Sequence, residues 1–72
     1  MATAMQSVDS SQIAKIGYDG ESSKLVVEFK KGGTYSYSDV PPNVFEGLAN
    51  SDSKGKYLHN FIKPHYTAER VE

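Results

Sequence analysis

Tyr35 and Tyr37 stand two residues apart in the run Thr34-Tyr35-Ser36-Tyr37-Ser38. On an extended strand that spacing puts both rings on one face. Two such rings could stack unpaired bases, as the sheet platforms of RNA-binding modules do. The competing reading has both rings covering the core face with their hydroxyls at its rim, because tyrosine suits strands and core edges. A sheet this small needs its aromatics inside, so the core reading leads.

A second set of candidates lies further along. Lys54, Lys56, His59, Lys63, His65 and Arg70 fall within one stretch of seventeen residues. Residues 1–52 carry four lysines and seven acids, and residues 53–72 carry four basic residues and two acids. The first part is therefore −3 and the second +2. Such asymmetry can orient a protein on a phosphate backbone or on an acidic partner. An ordinary solvated helix face has the same composition, and that reading leads. With a net charge of −1, any RNA affinity is expected to be weak and salt-sensitive.

Other chemistry finds little support in the residues. Ser53-Lys54-Gly55-Lys56-Tyr57 resembles a phosphate loop, but Asn50 stands where that loop needs glycine, and Tyr57 where it needs Ser or Thr. Gly55 is better read as a point of close packing. His59 and His65 are six apart across Pro64, without the i, i+4 spacing of helical metal pairs, and no cysteine supplements them. No serine sits in a nucleophile elbow, and a core this small leaves little room for a large pocket. The chain is expected to be no enzyme and to hold no metal or cofactor.

The elements that position these residues follow from periodicity. Ile13–Asp19 and Lys24–Lys30 read as strands joined by Asp19-Gly20-Glu21-Ser22-Ser23, a hairpin signal in which glycine accepts a positive φ. Leu25, Val27 and Phe29 alternate with Val26, Glu28 and Lys30. Gly32-Gly33 turns the chain into a third strand holding the two tyrosines. Gly17, inside the first strand, suggests a bulge or a helix passing close over the sheet. Pro41-Pro42 ends the strands and opens a helix with Val44, Phe45 and Leu48 as its apolar stripe. A second helix is expected from about Lys54 to Lys63, with Tyr57, Leu58, Phe61 and Ile62 on one side and Lys56, His59, Asn60 and Lys63 on the other. The fold class is α+β: a three-stranded antiparallel β-meander followed by two C-terminal helices packed on one face. Its expected core is Ile13, Ile16, Tyr18, Leu25, Val27, Phe29, Tyr35, Tyr37, Val44, Leu48, Tyr57, Leu58, Phe61 and Ile62.

Length bounds the rest. Seventy-two residues make one domain, here divided into a flexible leader at 1–11, a domain at 12–68 and a solvated tail at 69–72. Without cysteine there is no disulfide framework, and the thin core invites self-association. No apolar run can span a bilayer, and the first residues lack the regions of a signal peptide, so cytoplasmic residence and no membrane partner are expected.

The ordered series of these residues resembles the KTSC domain. It starts with Ser10-Ser11, Ile13 and Ile16-Gly17-Tyr18-Asp19, and runs through Leu25-Val26-Val27-Glu28-Phe29 and Gly32-Gly33. Tyr35-Ser36-Tyr37, Val40-Pro41, Val44-Phe45 and Leu48 follow, and Ser53-Lys54-Gly55-Lys56-Tyr57, Asn60, Ile62 and Tyr66 close it. That family is named for its occurrence at the C-terminus of some lysyl-tRNA synthetases and also occurs as small free-standing proteins of bacteria and phages. Tyr-x-Tyr is its central feature. The resemblance implies a small non-catalytic binding module with RNA as the candidate partner. Tyr35 or Tyr37 would then stack bases, while Lys54, Lys56, His59, Lys63 and Arg70 would meet phosphates. The alternative is a module for a protein partner or a homodimer, with no nucleic-acid role. At least one exposed tyrosine ring on the lysine side would favour RNA; two buried rings would remove stacking.

Overall fold

The sharp alternation from Lys24 to Phe29 builds the middle strand of a five-stranded sheet. In the computed structural model, which describes residues 5–71, the strands are β1 (Met5–Ser7), β2 (Ile13–Asp19), β3 (Lys24–Phe29), β4 (Thr34–Tyr37) and β5 (Ala68–Arg70). Their spatial order is the sequence order and every pairing is antiparallel. Helices α1 (Pro42–Ala49) and α2 (Lys54–Tyr57) lie between β4 and β5. The fold is α+β as expected, with five strands rather than three.

Both additional strands are three-residue edges with no alternation to betray them. Met5–Ser7, inside the expected leader, pairs with Lys15–Gly17, and Val8 packs against the core. Ala68–Arg70 pairs with Tyr35–Tyr37, and the Val71 N–H extends the ladder to the Thr34 carbonyl at 2.9 Å. Glu69 and Arg70, expected in a solvated tail, are thus exposed but held by backbone bonds. Residues 1–4 of the leader and Glu72 of the tail lie outside the described residues.

Ile13, Ile16, Leu25, Val27 and Tyr37 form the fully buried floor of the core; Val40, Leu48, Leu58 and Ile62 close it from above. The bulge in β2 falls between Ile13 and Lys15, before Gly17, and brings Ile13 and Ile16 to the same face. Gly17 itself pairs with Met5 and Val26 and has the parity opposite to Ile16, so the helices do not pass over it. Val40 joins the core although it follows the last predicted strand residue. Its N–H donates to the Ser23 carbonyl at 2.8 Å, and its carbonyl accepts from the Tyr18 hydroxyl at 2.5 Å. The Tyr18 ring stacks on Phe45 with centroids 4.9 Å apart, so one tyrosine anchors both the loop and the start of α1.

Turn chemistry departs from expectation at one point. The Asp19 carboxylate caps the β2–β3 turn, accepting from the Glu21 N–H at 3.0 Å. The Ser22 hydroxyl, and after it that N–H, hold the Asp19 carboxyl below the usual carboxylate range. The positive φ falls on Ser23 (54°) rather than on Gly20, whereas Gly32 and Gly33 take 103° and 92° as the turn requires. A left-handed residue with a Cβ costs about 1–2 kcal/mol, partly offset by the greater freedom of glycine in the unfolded chain. Ser23→Gly is therefore expected to stabilise the domain by about 0.5 kcal/mol, a rise of roughly 2–4 °C in a thermal melt. A fall in Tm would show that the serine side chain contributes more than its backbone strain costs.

Gly47 interrupts the apolar stripe of α1 for a packing reason. A Cβ built there would lie 2.8 Å from Tyr57 Cζ and closer still to the hydroxyl. Alanine would add about 1 kcal/mol of helix propensity but would displace the ring, and overpacking costs about 1–3 kcal/mol. Gly47→Ala should lower stability in urea denaturation, and should raise it in a Tyr57→Leu background, where the obstacle is gone.

The second helix changes pitch. After α2 the chain continues as a π-helical turn, Leu58–Ile62, closed by Lys63 N–H to the Leu58 carbonyl at 2.8 Å. The wider turn buries Leu58 and Ile62 together and throws Phe61 outward, 58% exposed against its tilted neighbour Tyr57. The expectation that Phe61 belongs to the core is corrected accordingly.

Candidate functional site

The two tyrosines share a face, as the strand period requires, but not a role. Tyr37 is opposite Leu25 and is 1% exposed; Tyr35 is opposite Val27 and half-buried. Burial pushes the Tyr37 phenol above its ordinary value, and the neighbouring Tyr35 adds to that. Tyr37 is thus a neutral core residue that no base can stack upon. Tyr35 stands at the edge of the core, its ring set edge-on to Phe29 at 5.7 Å.

Beyond this edge the helical layer runs out. The chain leaves the π turn at Lys63, passes Tyr66 and crosses to β5, whose side chains are all exposed. The result is an open groove of about 500 Å³. Phe29, Tyr35 and Tyr66 supply its aromatic surface with the buried Tyr37 beneath, Ala68 a small apolar wall, and Lys31 and Lys63 its charge. The Lys63 ammonium lies over the Phe29 ring, 5.6 Å from its centroid. Such a groove can hold a flat aromatic group against its walls and an anion between its two lysines.

Three of the residues named from sequence meet here: Tyr35, Tyr37 and Lys63. Lys56 and His59 join Lys63 along one side of the helix and line an adjoining hollow of about 300 Å³ with Gln12 and Phe29. Lys54 does not belong to this surface. Its ammonium donates to the Ser51 carbonyl at 2.9 Å and borders a hollow that also contains Asp9 and Asp52. Arg70 is opposite Tyr35 in the β4–β5 register, outside the groove lining. Close packing does not require Gly55: a Cβ there would meet only the tip of the exposed Gln12 side chain, Oε1 at 2.8 Å, which can swing aside. Phe29, Lys31 and Tyr66 line the groove without having been singled out for it. Lys31 sits in the Gly32-Gly33 turn beside the tyrosine strand, a proximity visible in the sequence; Tyr66 arrives only through the chain reversal after Pro64. Among the described residues, no group of three or more His, Cys, Asp or Glu could hold a metal ion, and no helix is long and apolar enough to cross a membrane.

The KTSC domain model matches residues 9–66. The chain belongs to the KTSC domain family. A crystal structure of a KTSC domain protein from Yersinia pestis superposes on it with a TM-score of 0.95 at 32% identity, covering 99% of this chain and all of that one. A protein of Tsukamurella paurometabola is 41% identical over 64 residues, 89% of this chain and 96% of its own length. A lysine–tRNA ligase of Nostoc punctiforme is 36% identical over 63 residues. That match spans 88% of this KTSC chain but only 11% of the ligase, so the likeness is to one small region of a synthetase.

Proposed function

We propose that this KTSC domain is a non-catalytic module that binds single-stranded RNA, with one unpaired base held in the groove beside Tyr35. The observation that carries this reading is the groove itself: aromatic walls from Phe29, Tyr35 and Tyr66 with Lys31 and Lys63 at its rim. Aromatic faces bind bases with little sequence preference, and lysines beside them neutralise the flanking phosphate. Likeness to a region of lysine–tRNA ligases supports RNA over DNA. The half-buried Tyr35 supports stacking, and the buried Tyr37 narrows it to one ring of the motif.

A backbone-amide titration with bulk tRNA and a short single-stranded RNA, at low and near-physiological salt, tests the reading. Shifts are expected around Phe29–Tyr35 and Lys63–Tyr66, weakening as salt rises. An unchanged spectrum at low salt would remove RNA as the partner. The second reading, self-association or a protein partner, has its own observation in the exposed Phe61. Sedimentation that gives a dimer at high concentration for the native chain and a monomer for Phe61→Ser would favour it.

A further inference from the structure

Phe29 and Lys63 line not one depression but three. Besides the groove at Tyr35 and the hollow at Lys56 and His59, a third lies between them, about 430 Å³ in volume, where Ser11, Gln12, Lys30 and Lys31 gather. Lys31 is shared by the first and the middle hollow, and Gln12 by the middle hollow and that at Lys56. The three therefore form one continuous surface around the Phe29–Lys63 contact. Lys30, Lys31, Lys56, His59 and Lys63 are all exposed along it, and no acidic residue lines any of the three. The hollow at Lys54 sets Asp9 and Asp52 against Lys54 and Lys56, so its charge is mixed, and it marks where the purely basic surface ends, with Lys56 on the boundary. The protein as a whole carries −1, so an unbroken basic surface is a local feature and not a reflection of overall charge.

We infer that this surface is a track for several consecutive phosphates, so that the ligand is a single strand of about three nucleotides rather than one nucleotide or a duplex. The inference rests on the single-strand reading of the groove and extends it. Lys56 and Lys63 are seven residues apart on the helix, on the order of 10 Å along its axis, so their long side chains can meet neighbouring phosphates of one strand. The end of the strand with its base beside Tyr35 has its phosphate between Lys31 and Lys63. The following phosphates pass Phe29, with Lys30 beside them, and reach Lys56 and His59. A duplex would keep its base faces stacked on each other and could offer the track its backbone only.

The decisive experiment compares oligouridylates of one, two, three, four and six nucleotides by amide titration of the full chain, with native protein, Lys31→Gln and Lys56→Gln. Affinity is expected to climb until about three or four nucleotides and then level off, with a log–log salt slope near −2 for the longer strands. Lys31→Gln should weaken every length. Lys56→Gln should weaken the tetranucleotide about threefold to tenfold and leave the mononucleotide unchanged. Blunt duplex RNA at equal phosphate concentration should bind more than about tenfold more weakly than the tetranucleotide. An affinity that is complete at one nucleotide, or a tetranucleotide indifferent to Lys56→Gln, overturns the track and leaves the single-base groove standing. Equal binding of duplex and single strand overturns the strand geometry. If no length binds at low salt, the groove reading fails and the track with it.

Discussion

Tyr37→Ala is expected to cost about 3–5 kcal/mol, the range for truncating a large buried aromatic side chain. A domain of this length has a total stability of roughly 4–11 kcal/mol, so the substitution should remove between about a quarter and all of it. Tyr37 is 1% exposed and belongs to the buried core with Ile13, Ile16, Leu25, Val27 and the helical residues Leu58 and Ile62. Tyr35→Ala, two residues away on the same strand face, should cost only about 1–2 kcal/mol because its ring is already half in water. Urea denaturation followed by circular dichroism measures both. Equal losses would mean that the two tyrosines form one structural pair and that Tyr35 is not spared for a ligand. The same comparison bears on function: in a folded Tyr35→Ala protein, RNA shifts in the groove should be lost, which a purely structural tyrosine would not produce.

The second large effect belongs to Lys63. Lys63→Glu removes the one cation common to all three basic hollows and places a carboxylate where phosphate would pass. Binding of a short single-stranded RNA should fall by at least about tenfold, or 1.4 kcal/mol, and the log–log salt slope should become shallower by about 0.7 for one lost phosphate contact. The fold should be little affected. Lys63 is exposed, and its approach to the Phe29 ring is worth about 0.5–1 kcal/mol at such a site. Lys54→Gln gives the contrasting outcome. Its ammonium bonds the Ser51 carbonyl beyond the end of α1, so its loss should lower stability by about 1 kcal/mol and leave RNA binding unchanged. If Lys54→Gln weakened binding as much as Lys63→Glu, charge anywhere on the helix would suffice and the groove would lose its significance.

Much of the fold was legible in the residues because it rests on local chemistry. The period-two run from Lys24 to Phe29, the glycines at the second turn and the proline before α1 each act over a few neighbouring residues. They led directly to β2, β3, β4 and both helices, and most of the expected core is buried or packed against it. The short edges β1 and β5 were not legible, since their side chains are mostly exposed and their pairing comes from backbone groups that every sequence possesses. Phe61 was misplaced for a related reason. An α-helical period puts it beside Tyr57 and Ile62, and only the packing of Leu58 and Ile62 on the sheet selects the π turn that turns it out.

The site divides along the same line. By itself the sequence determined that the two tyrosines share a strand face, that Lys56, His59 and Lys63 share a helix side, and that the residues belong to the KTSC pattern. These follow from the fixed periods of strand and helix. Only the tertiary structure decided that Tyr37 is core and Tyr35 an edge, that Lys54 is committed to a carbonyl, and that Phe29, Lys31 and Tyr66 complete a groove. Those outcomes depend on where the helical layer ends over the sheet, which is set by contacts between residues far apart in the chain.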